Sequence, residues 1–249
     1  MAEEVQVPEA KVKKQDVIDN LLEFLPSETA ITIELPSKGR FYPNHSGTVR
    51  VRPMEFADEK SILSARKGNL DPVNVLLERC VEGINIYELV QPDKLFILLR
   101  LREISYGEEY GATVTCQQCE FDNNLSFNLA KLPVDPIGDD LQYPLEINLP
   151  ILKKKVTVRL PQVKDEEFLK NLDDATDQLW RFVDAVEEHT DKSIIAPVIQ
   201  KLPLKDVHCL LKAINPEFGI QTKVKFTCQS CKFSNVIILP ITADFFSVN

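Results

Sequence analysis

The chain has 249 residues, a formal net charge of −9, and 44% hydrophobic against 27% charged residues. That is ordinary for a globular protein with a sizeable core, and the acidic balance argues against broad non-specific nucleic-acid binding, which needs many cationic contacts to phosphate. No apolar run approaches the roughly 20 residues that span a bilayer.

In chain order, MAEEVQVPEAKVKK is polar and lacks the apolar core of a secretory signal, so a cytosolic origin with reduced thiols is expected. DVIDNLLEFLP (16–26) reads as an amphipathic helix with Val17, Ile18, Leu21, Leu22 and Leu25 on its apolar face. Such an arm either docks in a groove of another protein or packs on its own body. TAITIEL and TVRVRP alternate apolar and polar residues around the turn-rich PSKGRFYPNHSG, which predicts a β-hairpin. Its tip presents Arg40, Phe41 and Tyr42, residue types enriched at interface hot spots, as candidate partner contacts.

MEFADEKSILSARKG predicts a helix ending at Gly68. Asp71-Pro72 then supplies an N-cap and first helical position for a helix through VNVLLERCVEG. The next helix, PDKLFILLRLREISYG, places Leu95, Phe96, Leu98, Leu99 and Ile104 mainly on one side. ATVTCQQCEFDNNLSFNL reads as strand, CxxC, strand, and VDPIGDD as a linker. PLEINL and KVTVRL predict a second hairpin with a shorter turn, and DEEFLKNL, DQLWRFVDAVEEH and PLKDVHCLLKAIN predict helices. HTDKSIIAPVIQK reads as an insertion at a helix connection, which is cheaply tolerated. KVKFTCQSCKFSNVIIL closes as strand, CxxC, strand, and ITADFFSVN carries two adjacent aromatics that anchor on a partner or fold back.

The two CxxC segments match each other. TCQQCEFDN (115–123) and TCQSCKFSN (227–235) share the Thr, the first Gln, both Cys, the Phe and the Asn at an offset of 112 residues. The same offset pairs Leu98 with Leu210, Leu99 with Leu211, Tyr106 with Phe218 and Gly107 with Gly219. Farther upstream LLERCVE resembles QLWRFVD, ITIELP resembles LEINLP and VRVRP resembles VTVRLP, in the same order. Internal similarity of this kind bears on the whole fold. The expected fold is α+β, an internally duplicated unit of β-hairpin, helices and CxxC knuckle hairpin, with the two knuckles paired in a zinc-ribbon-like site. The expected organisation is an N-terminal arm (1–27), unit A (28–132), a linker (133–140) and unit B (141–249).

Cys116, Cys119, Cys228 and Cys231 form the candidate metal site. A CxxC between two strands lets both thiolates point at one ion, and two such knuckles complete the four-thiolate set of structural zinc. The duplication accounts for the long gap between the pairs. One structural zinc per chain would have no open coordination position and hence no catalysis. Three alternatives stay open: a thioredoxin-like redox pair, metal shared with a second subunit, and simply buried thiols. Cys80 and Cys209 fall within helical apolar patterns and are expected in the core. His45, His189 and His208 occupy no metal or nucleophile motif, and no phosphate cradle or nucleophile elbow is present, so no enzyme is expected.

ELPSKGRFYP, a helix carrying FILLRLREISYGEEY and the TCxxC that follows resemble the baseplate hub family of T4-like tailed phages, most clearly over about residues 31–132. The resemblance implies a non-enzymatic role in building the central hub of a contractile tail baseplate through contacts with other hub proteins. The expected setting is the host cytoplasm during assembly and the virion tail baseplate, without nucleic-acid, membrane or small-molecule partners. A zinc-ribbon nucleic-acid binder is the alternative. It needs basic and aromatic residues at the knuckles; Lys223, Lys225 and Lys232 flank the second, but Glu120 and Asp122 flank the first.

Overall fold

The computed structural model describes residues 17–18, 30–67, 71–166, 175–215, 217–241 and 243–246. Residues 1–30 form one unit and residues 31–249 another. In the first, Val17 and Ile18 are helical and exposed. Leu21, Leu22 and Leu25 of the predicted arm lie outside the described residues.

In the second unit, alternation in ITIE and TVRV produces the expected hairpin. β1 (Ile31–Glu34) pairs antiparallel with β2 (Thr48–Val51), and Ile33, Val49 and Val51 face the core. Between them Gly39 (φ +75) and Gly47 (φ +81) let two backbone segments touch. A Cβ on Gly39 would lie 2.6 Å from Gly47 N, so only glycine fits.

Helix α1 is Phe56–Lys67 and α2 is Pro72–Cys80, the latter capped by the Asp71 carboxylate, which accepts from Val73 and Asn74 N–H. The predicted second helix is shorter than expected. It stops after Cys80, and Val81–Glu82 becomes β3, with Val81 opposite Val51 of β2. A valine next to an open strand edge gains more from pairing than from another helical turn.

Helix α3, Gln91–Tyr106, buries Phe96, Ile97, Leu98, Leu99 and Leu101, together with Asp93, Lys94 and Arg102. These positions run round most of the helix. The one-sided apolar stripe expected from sequence is therefore corrected: α3 is a central helix enclosed by both parts of the chain.

After the strands of the first CxxC hairpin, β4 (Glu109–Thr115) and β5 (Asp122–Asn128), the predicted linker does structural work as well as joining. Val134–Asp135 is β6 and pairs with β10 (Gly219–Ile220), while Ile137 is buried and donates its N–H to Pro36 O. The second half builds another three-stranded sheet from β7 (Leu145–Asn148), β8 (Lys155–Val158) and β9 (Val183–Val186). Here VDAV, expected as part of a helix, is a strand, with Val183 opposite Val158 and both buried. Ala175–Phe182 before it is 3-10 helix. Residues 167–174, including most of the predicted DEEFLKNL helix, lie outside the described residues. The predicted insertion contains helix α4 (Lys192–Gln200), and α5 (Leu204–Ile214) follows as expected. The second CxxC hairpin is β11 (Lys223–Thr227) and β12 (Ser234–Ile238).

Buried polar contacts recur at matching places. Arg52 Nη1 and Nη2 donate to the Asp58 carboxylate at 2.7 and 3.1 Å, and Arg159 grips Asp165 in the same fork at 2.7 and 2.8 Å. Each carboxylate also accepts the N–H three residues before it, from Glu55 or Gln162. Near the start of α3, Asp93 accepts Ser37 N–H; near the start of α5, Asp206 accepts Ile151 and Leu152 N–H. Each carboxylate lies in the first turn of its helix, where the helix dipole favours negative charge.

The larger apolar cluster is shared between the halves, since Leu160, Val163, Phe218, Ile220, Leu239 and Phe245 pack into the core around α3. A smaller cluster lies under the second sheet, around Val156, Val158, Ile195 and Leu210. Lys94 Nζ donates to both Glu166 oxygens at 2.6 and 2.7 Å, tying α3 to the second half. The 3-10 turn Ala243–Phe246 folds back on the first half. Phe245 is fully buried, its ring 4.8 Å from that of Tyr110, while Arg102 Nε donates to Phe245 O and Tyr106 OH to Phe246 O. Among the described residues no helix is long and apolar enough to cross a membrane.

Candidate metal centre

Two tight turns carry the four cysteines. In the first, Cys116 N–H donates to Phe121 O at 2.9 Å and Glu120 N–H to Cys116 O at 3.0 Å. In the second, Cys228 N–H donates to Phe233 O at 2.9 Å and Lys232 N–H to Cys228 O at 3.1 Å. Both turns need one left-handed residue, and neither uses glycine there: Glu120 has φ +57° and Lys232 φ +62°. A side chain in that conformation is strained, so the rest of each turn must enforce it.

The two turns meet. All four Sγ atoms lie within 4.8 Å of one another. Cys116 Sγ is 3.7 Å from Cys231 Sγ, and Cys119 Sγ is 3.7 Å from Cys228 Sγ, so the closest approaches run between hairpins. None of the four is in a disulfide. Four sulfurs about 2.3 Å from a central zinc would be about 3.8 Å apart. The two close sulfur pairs match that spacing, and a metal is accommodated by the existing arrangement. Cys116 and Cys228 are buried, and Cys119 and Cys231 are exposed.

The electrostatics favour thiolate at the two buried positions. Burial pushes the Cys116 thiol up, but N–H groups of Gln118 and Cys119, the Asn235 amide and the Cys228 thiol outweigh it and bring it down to about 6. Cys228 is likewise lowered: burial opposes ionisation, and the N–H groups of Cys231 and Ser230 overcome it. At Cys231 the Phe233 N–H favours the thiolate, but burial and the other three sulfurs push it up to about 12. Four sulfurs this close cannot all ionise without a cation among them.

Two asparagines lock the hairpins together. Asn123 is fully buried; its Nδ2 donates to Phe121 O at 2.9 Å in its own hairpin, and its Oδ1 accepts Gln229 N–H at 2.8 Å from the other. Asn235, equally buried, donates to Phe233 O at 3.1 Å and accepts Gln117 N–H at 3.0 Å. Each amide also points at the partner hairpin's buried sulfur, Asn235 at Cys116 (3.5 Å) and Asn123 at Cys228 (3.8 Å). The repeated CxxCxFxN spelling contained both asparagines; their crossed role had no separate sequence signal.

The other candidate residues are placed differently. Tyr42 is buried, donating its hydroxyl to Asp93 at 2.6 Å and accepting Val90 N–H at 3.1 Å, which corrects its expected position on a contact surface. Phe41 is half-buried, with its ring 5.4 Å from Tyr143 and 5.9 Å from Phe218. Arg40 lies at the surface, where it donates to Gly138 O at 2.8 Å and pairs with Asp139 at 3.0 Å. Cys80 is buried in the core, where burial and then the Asp58 carboxylate push its thiol up to about 12. Cys209 is half-buried on α5.

Fold and site together define a mixed α/β protein with a cluster of four cysteines where two hairpins meet, a donor set characteristic of structural metal sites. The chain belongs to the T4 bacteriophage base plate protein family, whose model matches residues 28–247. No curated protein and no solved structure matches the chain. Membership points to a structural role in the virion tail and to contacts with other phage base plate proteins.

Proposed function

We propose that this chain is a non-enzymatic hub protein of the phage baseplate, either an assembly factor or a hub component, acting in the host cytoplasm and through protein contacts. A structural zinc held by Cys116, Cys119, Cys228 and Cys231 joins its two halves. The observation that carries the reading is the convergence of two sulfurs from each CxxC hairpin within 4.8 Å. The site is closed by protein donors, which suits a clamp and leaves no position for substrate.

On this reading the halves derive from a duplicated unit, A over 28–132 and B over 141–249, with residues 133–140 between them and 1–27 as an arm. Support comes from the like order of β1–β2–β3 and β7–β8–β9, the paired Arg52–Asp58 and Arg159–Asp165 forks, and the crossed asparagines. Arg40 and the half-buried Phe41, and Leu21, Leu22 and Leu25 of the arm, remain candidate contact residues. The nucleic-acid alternative gains no support, because Glu120 and Asp122 oppose Lys232 around the knuckles and the family match is to base plate proteins.

Metal analysis of the purified chain tests the zinc, with one zinc per chain expected and loss of that zinc in Cys116→Ser/Cys228→Ser. A metal-free protein of unchanged stability would sink the clamp. Deletion of this chain from an infecting phage tests the role: tails should stall before the hub is complete, and normal tails would overturn it.

A further inference from the structure

The outward faces of the two CxxC hairpins differ, although their backbones correspond. On the first, Thr113 bonds its ladder partner Asn124 at 2.8 Å and Thr115 bonds Asp122 at 2.7 Å, while Gly111 lies opposite Ser126, whose hydroxyl bonds Glu109. At the corresponding positions of the second, Lys225 lies opposite Val236 and Lys223 opposite Ile238. Val236 is 49% exposed and Ile238 68% exposed. Both lysines are exposed, and neither has an ion pair among the described residues.

Lysine alone on an exposed sheet would serve to prevent edge-to-edge aggregation. That account leaves the two outward aliphatics unexplained, since the same fold tolerates Asn124 and Ser126 at those positions. An apolar centre with a charged margin is the usual make-up of a protein contact. Here the charge is all of one sign, on a chain whose net charge is −9. Two copies joined face to face through this surface would bring four lysines together, so charge disfavours a second copy.

We propose that the outward face of the β11–β12 hairpin, centred on Val236 and Ile238, docks another base plate protein that presents an aliphatic patch bordered by carboxylates matching Lys223 and Lys225. The proposal rests on the contact role above and is independent of the zinc.

The test uses the full chain added to baseplate precursors from cells infected with a phage lacking it. A carbodiimide, which joins a lysine amine to a carboxylate in direct contact, is then applied, and the linked peptides are identified by mass spectrometry. Lys223 or Lys225 should be joined to an Asp or Glu of a different base plate protein. The variant Lys225→Thr/Val236→Asn/Ile238→Ser carries the residues of the first hairpin and should fold with unchanged circular dichroism. It should lose those links and bind the precursors at least ten-fold more weakly. A second variant, Lys223→Gln/Lys225→Gln, should slow association and flatten its salt dependence. Unchanged binding by the three-residue variant overturns the proposal, as do links only to a second copy of this chain or salt-dependent capture of a DNA oligonucleotide by these lysines. Failure of the wild type to associate with precursors at all would overturn the baseplate role itself, and this surface with it.

Discussion

Asn123 and Asn235 exchange roles across the cysteine cluster: each accepts the N–H that follows the other hairpin's first cysteine, at 2.8 and 3.0 Å. Each also braces its own turn through the carbonyl of Phe121 or Phe233. Neither hairpin therefore holds its buried sulfur in place alone.

Replacing either asparagine with alanine leaves the N–H of Gln229 or Gln117 and the carbonyl of Phe121 or Phe233 without its part-buried side-chain partner. Asn123→Ala and Asn235→Ala should each destabilise the fold by about 2 kcal/mol, by nearly equal amounts. Each should also weaken retention of the proposed zinc about 10–100-fold, as loss of groups that orient metal ligands does. Urea unfolding and competition with a chromogenic chelator measure the two effects. A large effect from one asparagine and none from the other would contradict their equivalence.

Acid should weaken the paired forks. Burial alone would raise the Asp58 carboxyl, but Arg52, the Glu55 N–H and Arg79 outweigh it and hold it well below its ordinary range. Asp165 is lowered in the same way, burial being overcome by Arg159 and the Gln162 N–H. A carboxylate whose folded pKa is depressed stabilises above its unfolded pKa, near 3.9, and that stabilisation is lost as pH falls through the folded value. The stability gap between wild type and Asp165→Asn should thus be constant from pH 7 to 5 and shrink below about pH 4. Denaturant titrations at each pH read the gap directly, and a gap that widened in acid would refute the assignment.

The Lys94–Glu166 pair should behave as a buried link between the halves, with side chains only 9% and 18% exposed. Lys94→Met leaves Glu166 with the Gln91 and Asn74 amides alone and should cost about 3 kcal/mol. Adding Glu166→Leu should recover much of that loss, because two apolar side chains carry no desolvation penalty. A double-mutant cycle measures the coupling, and strictly additive losses would count against a buried pair.

Much of this was legible in local spelling. The CxxC pairs and the asparagines beside them lie within short matched segments, and the hairpins and α3 follow from alternation and from Pro92 near a helix start. What was not legible depended on distant partners. The segment around Val183–Val186 has helix-compatible composition and becomes β9 only because β8 offers a free edge. Tyr42 looked like a surface aromatic because nothing in PSKGRFYP announces Asp93, its buried acceptor on α3. The lysine at 94 finds its glutamate 72 residues later, beyond the reach of any periodicity.

Truncating the last anchor should expose how much the core depends on it. Phe245→Ala removes a fully buried ring from against Tyr110 and should cost about 4 kcal/mol, while Tyr106→Phe, which removes only a hydroxyl donor to Phe246 O, should cost about 1 kcal/mol. Equal losses in thermal melts would mean that the ring is not the anchor.

That anchor also sets an order of events during synthesis. Chains emerge from the ribosome amino end first, yet the niche between Arg102 and Tyr110 is filled by Phe245. The early-made half must wait, with an open apolar socket, until Phe245 itself has left the exit tunnel. A nascent chain stalled before that point keeps the socket beside Tyr110 open to water.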